Sequence, residues 1–217
     1  ALRNAVPRSS QAGWKRFKGR RDPVELLSES HAGRILDLIP IRFGRMSASP
    51  FAFYRGSAAL MAADLARTPT SGIRVQACGD AHLMNFGGFA TPERNIIFDI
   101  NDLDETLPAP FEWDVKRLTA SVVIAAQHLR LPDSDAARVA TDVVRGYRER
   151  MADYASMPAL EVWYDKIDPQ RYEDRAADPE ILKVIRKRSA QRIEAEQRKS
   201  TPDFLYPKLV TQEGSRP

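Results

Sequence analysis

Asp80 and Asn85 stand five positions apart in the stretch Cys78-Gly79-Asp80-Ala81-His82-Leu83-Met84-Asn85-Phe86, directly after a short apolar segment. A second acidic cluster, Phe98-Asp99-Ile100-Asn101-Asp102, follows another short apolar run, and Asp99 comes nineteen positions after Asp80. An acid, a nearby amide and a second acid suit metal-assisted phosphoryl transfer. One carboxylate takes the proton of an attacking hydroxyl, while the amide oxygen and the other carboxylate hold Mg²⁺ against the phosphates. On this reading Asp80 is the general base and Asn85 offers a side-chain oxygen to a hard cation. Asp99 is the leading second metal ligand, with Asp102 and Asp104 as competitors. The alternative is turn chemistry, in which Asp and Asn in a glycine-containing loop bond nearby backbone groups.

Four other residues in these stretches invite a role. His82 lacks the second His or Cys that a zinc site needs, so a hydrogen bond that shapes the loop suits it better. Cys78 ends an apolar segment without an evident activating partner and reads as a small buried residue. Asp114, between Trp113 and Val115, either bonds backbone N–H groups of the loop at 79–82 or is an ordinary first-turn acid favoured by the helix dipole. Arg55, in Phe53-Tyr54-Arg55-Gly56, can reach phosphates, pair with an acid or simply face solvent.

The elements that must position these residues are mainly helical. Residues 1–21 form a basic, irregular arm. Asp22-Pro23 reads as a helix start, with Val24, Leu26, Leu27, Ile35, Leu36 and Leu38 as its stripe and Ile39-Pro40 as its break. A second helix runs from Ser49-Pro50 to Leu65. After a turn at 68–72, the segment 73–78 alternates as a strand, and 95–99 reads as a second strand paired antiparallel with it. The loop 79–94 between them contains three glycines and a proline. Beyond Pro110 the pattern predicts a long buried helix over 113–129, a helix capped by Asp133-Ser134-Asp135, a short helix over 158–167 and a charged helix from Asp178-Pro179 to Lys199. The fold class is therefore mainly α with a small β-hairpin (α+β).

The 217 residues make one large domain or two small ones, and 43% hydrophobic content is enough for a real core. A net charge of +4, concentrated in the N-terminal arm, is a weak argument for nucleic acid; a solvated arm accounts for it. One cysteine rules out an internal disulfide and fits a reducing, cytoplasmic setting. No apolar run reaches the length of a membrane span, and residues 1–21 lack a signal-peptide core. The first residue is Ala rather than Met, which reads as processing or trimming.

Gly79-Asp80-x-His82-x-x-Asn85 resembles the catalytic loop of aminoglycoside phosphotransferases and choline-kinase-like enzymes of the protein-kinase-like superfamily. Phe98-Asp99-Ile100 resembles the metal-binding Asp segment of that superfamily, and Phe111-Glu112-Trp113-Asp114-Val115-Lys116-Arg117-Leu118 resembles the helix start whose Asp braces the catalytic loop. Together with Phe53-Tyr54-Arg55-Gly56, these motifs look like a bacterial domain-of-unknown-function family over residues 22–200. The resemblance implies the helical C-lobe of a kinase-like fold over 22–200, with 201–217 as a tail or the start of a further segment. It also implies ATP and Mg²⁺ as cofactors and a small-molecule hydroxyl as acceptor. Asp80, His82 and Asp114 would be the catalytic residues, Arg55 and Asn85 would contact the nucleotide, and Asn85, Asp99 and Asp102 the metal. Two departures stand out. Cys78 replaces the His that precedes Gly-Asp in that loop. The chain also contains no G-x-G-x-x-G and no Lys-bearing strand before the loop, so the nucleotide-clamping lobe is expected after it in a longer, permuted protein, and the chain alone is expected to be inactive. The other readings are a catalytically dead kinase-like binding module, a metal-dependent phosphohydrolase and a nucleic-acid binder using the basic arm and the helix over 183–199.

Overall fold

Asp22 opens the first helix as its sequence suggests: the carboxylate accepts hydrogen bonds from the Val24 and Glu25 N–H groups at 2.8 and 3.2 Å, with Pro23 in the first turn. The computed structural model describes residues 6–92 and 95–167. In chain order the elements are α1 (Pro23–Glu29), α2 (Ile39–Met46), α3 (Pro50–Arg55), α4 (Ala58–Leu65), β1 (Arg74–Ala77), β2 (Phe86–Ala90), β3 (Ile96–Ile100), β4 (Leu107–Pro110), α5 (Glu112–His128), α6 (Asp133–Tyr154) and α7 (Ala159–Tyr164). This is a mainly helical α+β fold. Contacts divide the chain into two units: Ala1–Asn85 with Asp102–Ser156, and Phe86–Asn101 with Met157–Pro217.

The first unit is helical around one small sheet. α5 and α6 pack on each other, α3 and α4 pack on α5, and α1 packs on α4. Leu27, Met46, Leu60, Leu65, Ala77, Val122 and Ala126 are buried between them. β1 pairs antiparallel with β4, from Arg74 opposite Pro110 to Ala77 opposite Leu107. In the second unit, β2 and β3 form an antiparallel hairpin from Phe86 opposite Ile100 to Ala90 opposite Ile96. The Phe98 N–H extends this pairing by donating to the Ile167 carbonyl at 2.9 Å.

Several expectations are corrected. The strands at 73–78 and 95–99 do not pair with each other; they belong to separate two-stranded sheets. Both true partners carry residues that argue against strands. Gly87-Gly88 weakens β2, and two prolines weaken β4. Each segment sits at the edge of a two-stranded sheet, where fewer N–H donors are required and pairing overrides propensity. The stripe over 24–38 is not one helix: α1 ends at Glu29, and Ile35, Leu36 and Leu38 are exposed. Pro40 does not break a helix; it occupies the first turn of α2.

The helix expected over 50–65 divides at Gly56-Ser57. A Cβ at Gly56 would lie 2.6 Å from the Met46 side chain, which would have to shift to admit it. Asp133, Ser134 and Asp135 do not cap α6. Pro132 precedes the helix, and the two acids sit in its first turn, where the dipole favours them. Leu129, expected on a buried face, is exposed beyond the end of α5.

The basic arm is tied down at its far end. Arg20 makes a two-pronged ion pair with Asp64 at 2.6 and 2.8 Å, Arg21 pairs with Glu29, and the Arg67 guanidinium lies 4.3 Å from the centre of the Phe17 ring. Two of the arm's cations are thus neutralised within the fold. Among the described residues, no helix is long and apolar enough to cross a membrane. The charged helix over 179–199 and the tail 201–217 lie outside the described residues.

Candidate functional site

The loop from Cys78 to Asn85 is held along one stripe of α5. Asp114, Arg117 and Ser121 follow one another at intervals of three and four residues, so they share a helix face. They grip the loop in the same order as they occur. The Asp114 carboxylate accepts from the Cys78 N–H at 2.7 Å and the Gly79 N–H at 3.0 Å. The Arg117 Nε donates to Asp80 Oδ1 at 2.7 Å, and its Nη2 donates to the same oxygen. Ser121, fully buried, accepts from the Leu83 N–H at 2.9 Å and donates to the Leu118 carbonyl. Asp114 therefore braces the loop through backbone N–H groups, the first of its two readings, beginning one residue earlier than expected, and it also stands in the first turn of α5.

Gly79 turns the chain at φ +78°, and a Cβ there would lie 2.1 Å from the Glu105 carbonyl oxygen. Only glycine satisfies both the left-handed backbone and that approach. Asn85 closes the loop from within. Its Nδ2 donates to the carbonyls of Asp80 at 3.0 Å and Asp102 at 2.9 Å, and lies 3.6 Å from the Cys78 sulfur. This turns Oδ1 away from those carbonyls as the acceptor end of the amide. Cys78 is buried, and burial pushes its thiol above the usual range. It packs; it is not poised as a nucleophile.

Asp80 is half-buried, with its side chain 22% exposed over an Arg117 side chain only 2% exposed. Burial raises the Asp80 carboxyl above its ordinary value, against the opposing pull of Arg117; the charge of Asp102 also raises it, and that of Arg55 lowers it. His82 is 4% exposed. Its Nε2 lies 3.5 Å from Asp80 Oδ2, and its ring meets Phe51 edge-on at 6.4 Å. Burial first, then the charges of Arg117 and Arg55, lowers its pKa to about 4, so it is neutral at pH 7. Its Nδ1 has no partner among the described residues.

The structure gathers Asp80, His82, Asn85, Asp102 and Asp114 in the first unit, with the exposed Arg55 acting on Asp80 and His82 through its charge. Asp102 is exposed; its carboxylate accepts from the Asp104 N–H at 3.2 Å, and its carbonyl takes the Asn85 amide. Asp99 belongs to the second unit, on β3, where its carboxylate accepts from the next backbone N–H, that of Ile100, at 2.7 Å. Among the described residues, no group of three or more His, Cys, Asp or Glu side chains is placed to hold a metal ion.

Arg117 and Tyr54 are the residues that motif reading passed over. The guanidinium lies 4.6 Å from the Tyr54 ring centre and donates to the Tyr54 carbonyl at 2.9 Å, while the Tyr54 hydroxyl donates to the Arg117 carbonyl at 2.9 Å. Burial pushes the Tyr54 phenol up to about 12. The signal was present: Arg117 sits three positions after Asp114, on the side of α5 that carries Ser121.

A mainly helical α+β protein in which one face of α5 holds an Asp-bearing loop defines the class. The chain belongs to a bacterial family described as "Uncharacterized protein conserved in bacteria (DUF2252)", which matches residues 34–216. No curated protein and no solved structure matches it.

Proposed function

We propose that this chain is the catalytic lobe of an ATP- and Mg²⁺-dependent phosphotransferase acting on a small-molecule hydroxyl. The observation that carries this reading is Asp80: a half-buried carboxylate, on a loop braced at three points by one helix, with the Asn85 amide and the charge of Asp102 beside it. Burial raises the proton affinity of Asp80, which improves it as a base. Asp80 accepts the proton of the acceptor hydroxyl as that oxygen bonds to the terminal phosphorus; the bond to the bridging oxygen breaks, and ADP leaves. Arg55, exposed near Asp80, offers a cation to the anionic phosphates. His82 stays neutral and flanks the base without competing for the proton.

The donor set fits Mg²⁺. Within the first unit, Asn85 Oδ1 and the Asp102 carboxylate are hard oxygens, and Mg²⁺ is commonly held by one or two carboxylates together with substrate phosphates. When bound, the ion neutralises charge on the phosphate oxygens. Nothing in the chain's sequence offers the glycine-rich cradle and lysine that grip a nucleotide, so that role is assigned to a further segment of the complete protein.

The test is ATP turnover by the complete protein across a panel of alcohols and aminoglycosides, with Asp80→Asn as control. Turnover in the wild type and a loss of at least a hundredfold in the variant are expected; equal rates would end the assignment. A second reading, a catalytically dead kinase-like binding module, is favoured by one observation: Arg117 occupies one oxygen of Asp80 with two donors. It requires Mg²⁺-ATP binding by calorimetry without turnover.

A further inference from the structure

We propose that Arg117 is a positioning residue that holds Asp80 Oδ1 and leaves Oδ2 as the oxygen that meets the acceptor hydroxyl. This rests on the phosphotransfer reading above and adds to it which group aims the base. The Nε and Nη2 of Arg117 both donate to Oδ1, and none of the Arg117 bonds goes to Oδ2, whose neighbour is His82 Nε2 at 3.5 Å. The guanidinium plane is itself fixed: the Tyr54 ring lies against it, the Tyr54 carbonyl takes Nη2, and Met61 Sδ lies 3.7 Å from Nη1. The Tyr54 hydroxyl returns a bond to the Arg117 carbonyl, so α3 and α5 hold the arginine from both ends. A lysine supplies the charge but not this planar fork.

The charged and titratable groups around Asp80 are Arg117 from α5, Arg55 and Tyr54 from α3, Cys78 and His82 from its own loop, and Asp102 from the segment before β4. Arg117 is the cation in contact with the carboxylate and pulls against the effect of burial, so its removal should raise the Asp80 midpoint.

The experiment is NMR titration of the full chain, following the Asp80 side-chain carboxyl carbon and the Arg117 Nε–H resonance. In the wild type the two should share one midpoint. In Arg117→Met the Asp80 midpoint should rise by about one to three pH units, with the Cys78 and Gly79 amide signals retained. Should that variant not fold, Asp80→Asn decides: the Arg117 Nε–H signal should then cease to titrate at that midpoint. An unmoved Asp80 midpoint in folded Arg117→Met, or an Nε–H signal indifferent to Asp80, overturns the proposal. In the complete protein, Arg117→Lys should lower kcat at least tenfold with KM for ATP unchanged; wild-type kcat would also overturn it. Turnover with an unmoved midpoint would remove the positioning role and leave the phosphotransfer reading intact. A moved midpoint with no wild-type turnover would remove the reaction and keep Arg117 as the group that orients Asp80.

Discussion

The Cys78–Asn85 loop and the β2–β3 hairpin each present an aspartate that stands out in the sequence, yet the two acids sit in opposite physical circumstances. Asp80 rests half-buried on an arginine that has almost no contact with water, and its loop is gripped by three side chains of α5. Asp99 is exposed on a two-stranded hairpin, where among the described residues its carboxylate accepts from the next residue's N–H. One acid is fixed by groups far away in the chain and the other by its immediate neighbour. A carboxylate set by distant, buried partners has a defined direction; one set by its own backbone does not keep it for long.

The same substitution at both acids separates the regions most sharply. Asp80→Ala leaves Arg117 as a buried cation without its partner and should destabilise the chain by about 3 kcal/mol or more. Asp99→Ala removes one exposed local bond and should stay within about 0.5 kcal/mol. Urea denaturation of both variants checks this, and comparable losses would show that the hairpin acid is held as firmly as the loop acid.

Acid should act next, and through the loop. The lowered pKa of His82, about 4 against an ordinary 6.5, means that between those values the unfolded chain binds a proton that the folded chain refuses. The His82 contribution to stability should therefore fall as pH drops from about 6.5 to about 4, by on the order of 3 kcal/mol, and flatten below, with the raised carboxyl of Asp80 opposing it. His31, also lowered by burial, works in the same direction. Denaturation midpoints recorded across this range should show the slope, and His82→Gln should remove most of it while leaving the part due to His31. A slope unchanged in that variant would place the proton uptake elsewhere.

The smallest effect sharpens the contrast between two glycines. Gly79→Ala forces a left-handed backbone on alanine and drives its Cβ into the Glu105 carbonyl, a backbone atom that cannot swing aside. A loss of roughly 2 kcal/mol or more is expected. At Gly87 a Cβ would meet only the side-chain amide of the exposed Asn101, which can rotate away, and the residue has no positive φ. Gly87→Ala should lie within about 1 kcal/mol of neutral. Thermal unfolding of the pair measures the difference directly.

Much of this molecule was readable in advance where the cause is local. The cap at Asp22 and the long helix after Pro110 follow from a side chain acting on neighbouring backbone and from a sustained apolar period. Strand pairing was not readable. Gly87-Gly88 and Pro108 with Pro110 have poor strand propensity, and what makes them strands is the partner across the sheet. Nor was Arg117 evident, since an arginine in a charged stretch resembles any surface cation until the loop it anchors is folded beneath it.

From the sequence alone came the Asp–His–Asn loop, its glycine and the mainly helical class, because these depend on residue type and short-range spacing. Only the tertiary structure decided which strands pair, that Asp102 shares a unit with Asp80 while Asp99 lies in the other, and that a buried arginine aims the candidate base. Those outcomes depend on groups dozens of residues apart, whose contacts exist only once the chain has closed the loops between them, and spacing along the chain carries no record of that closure.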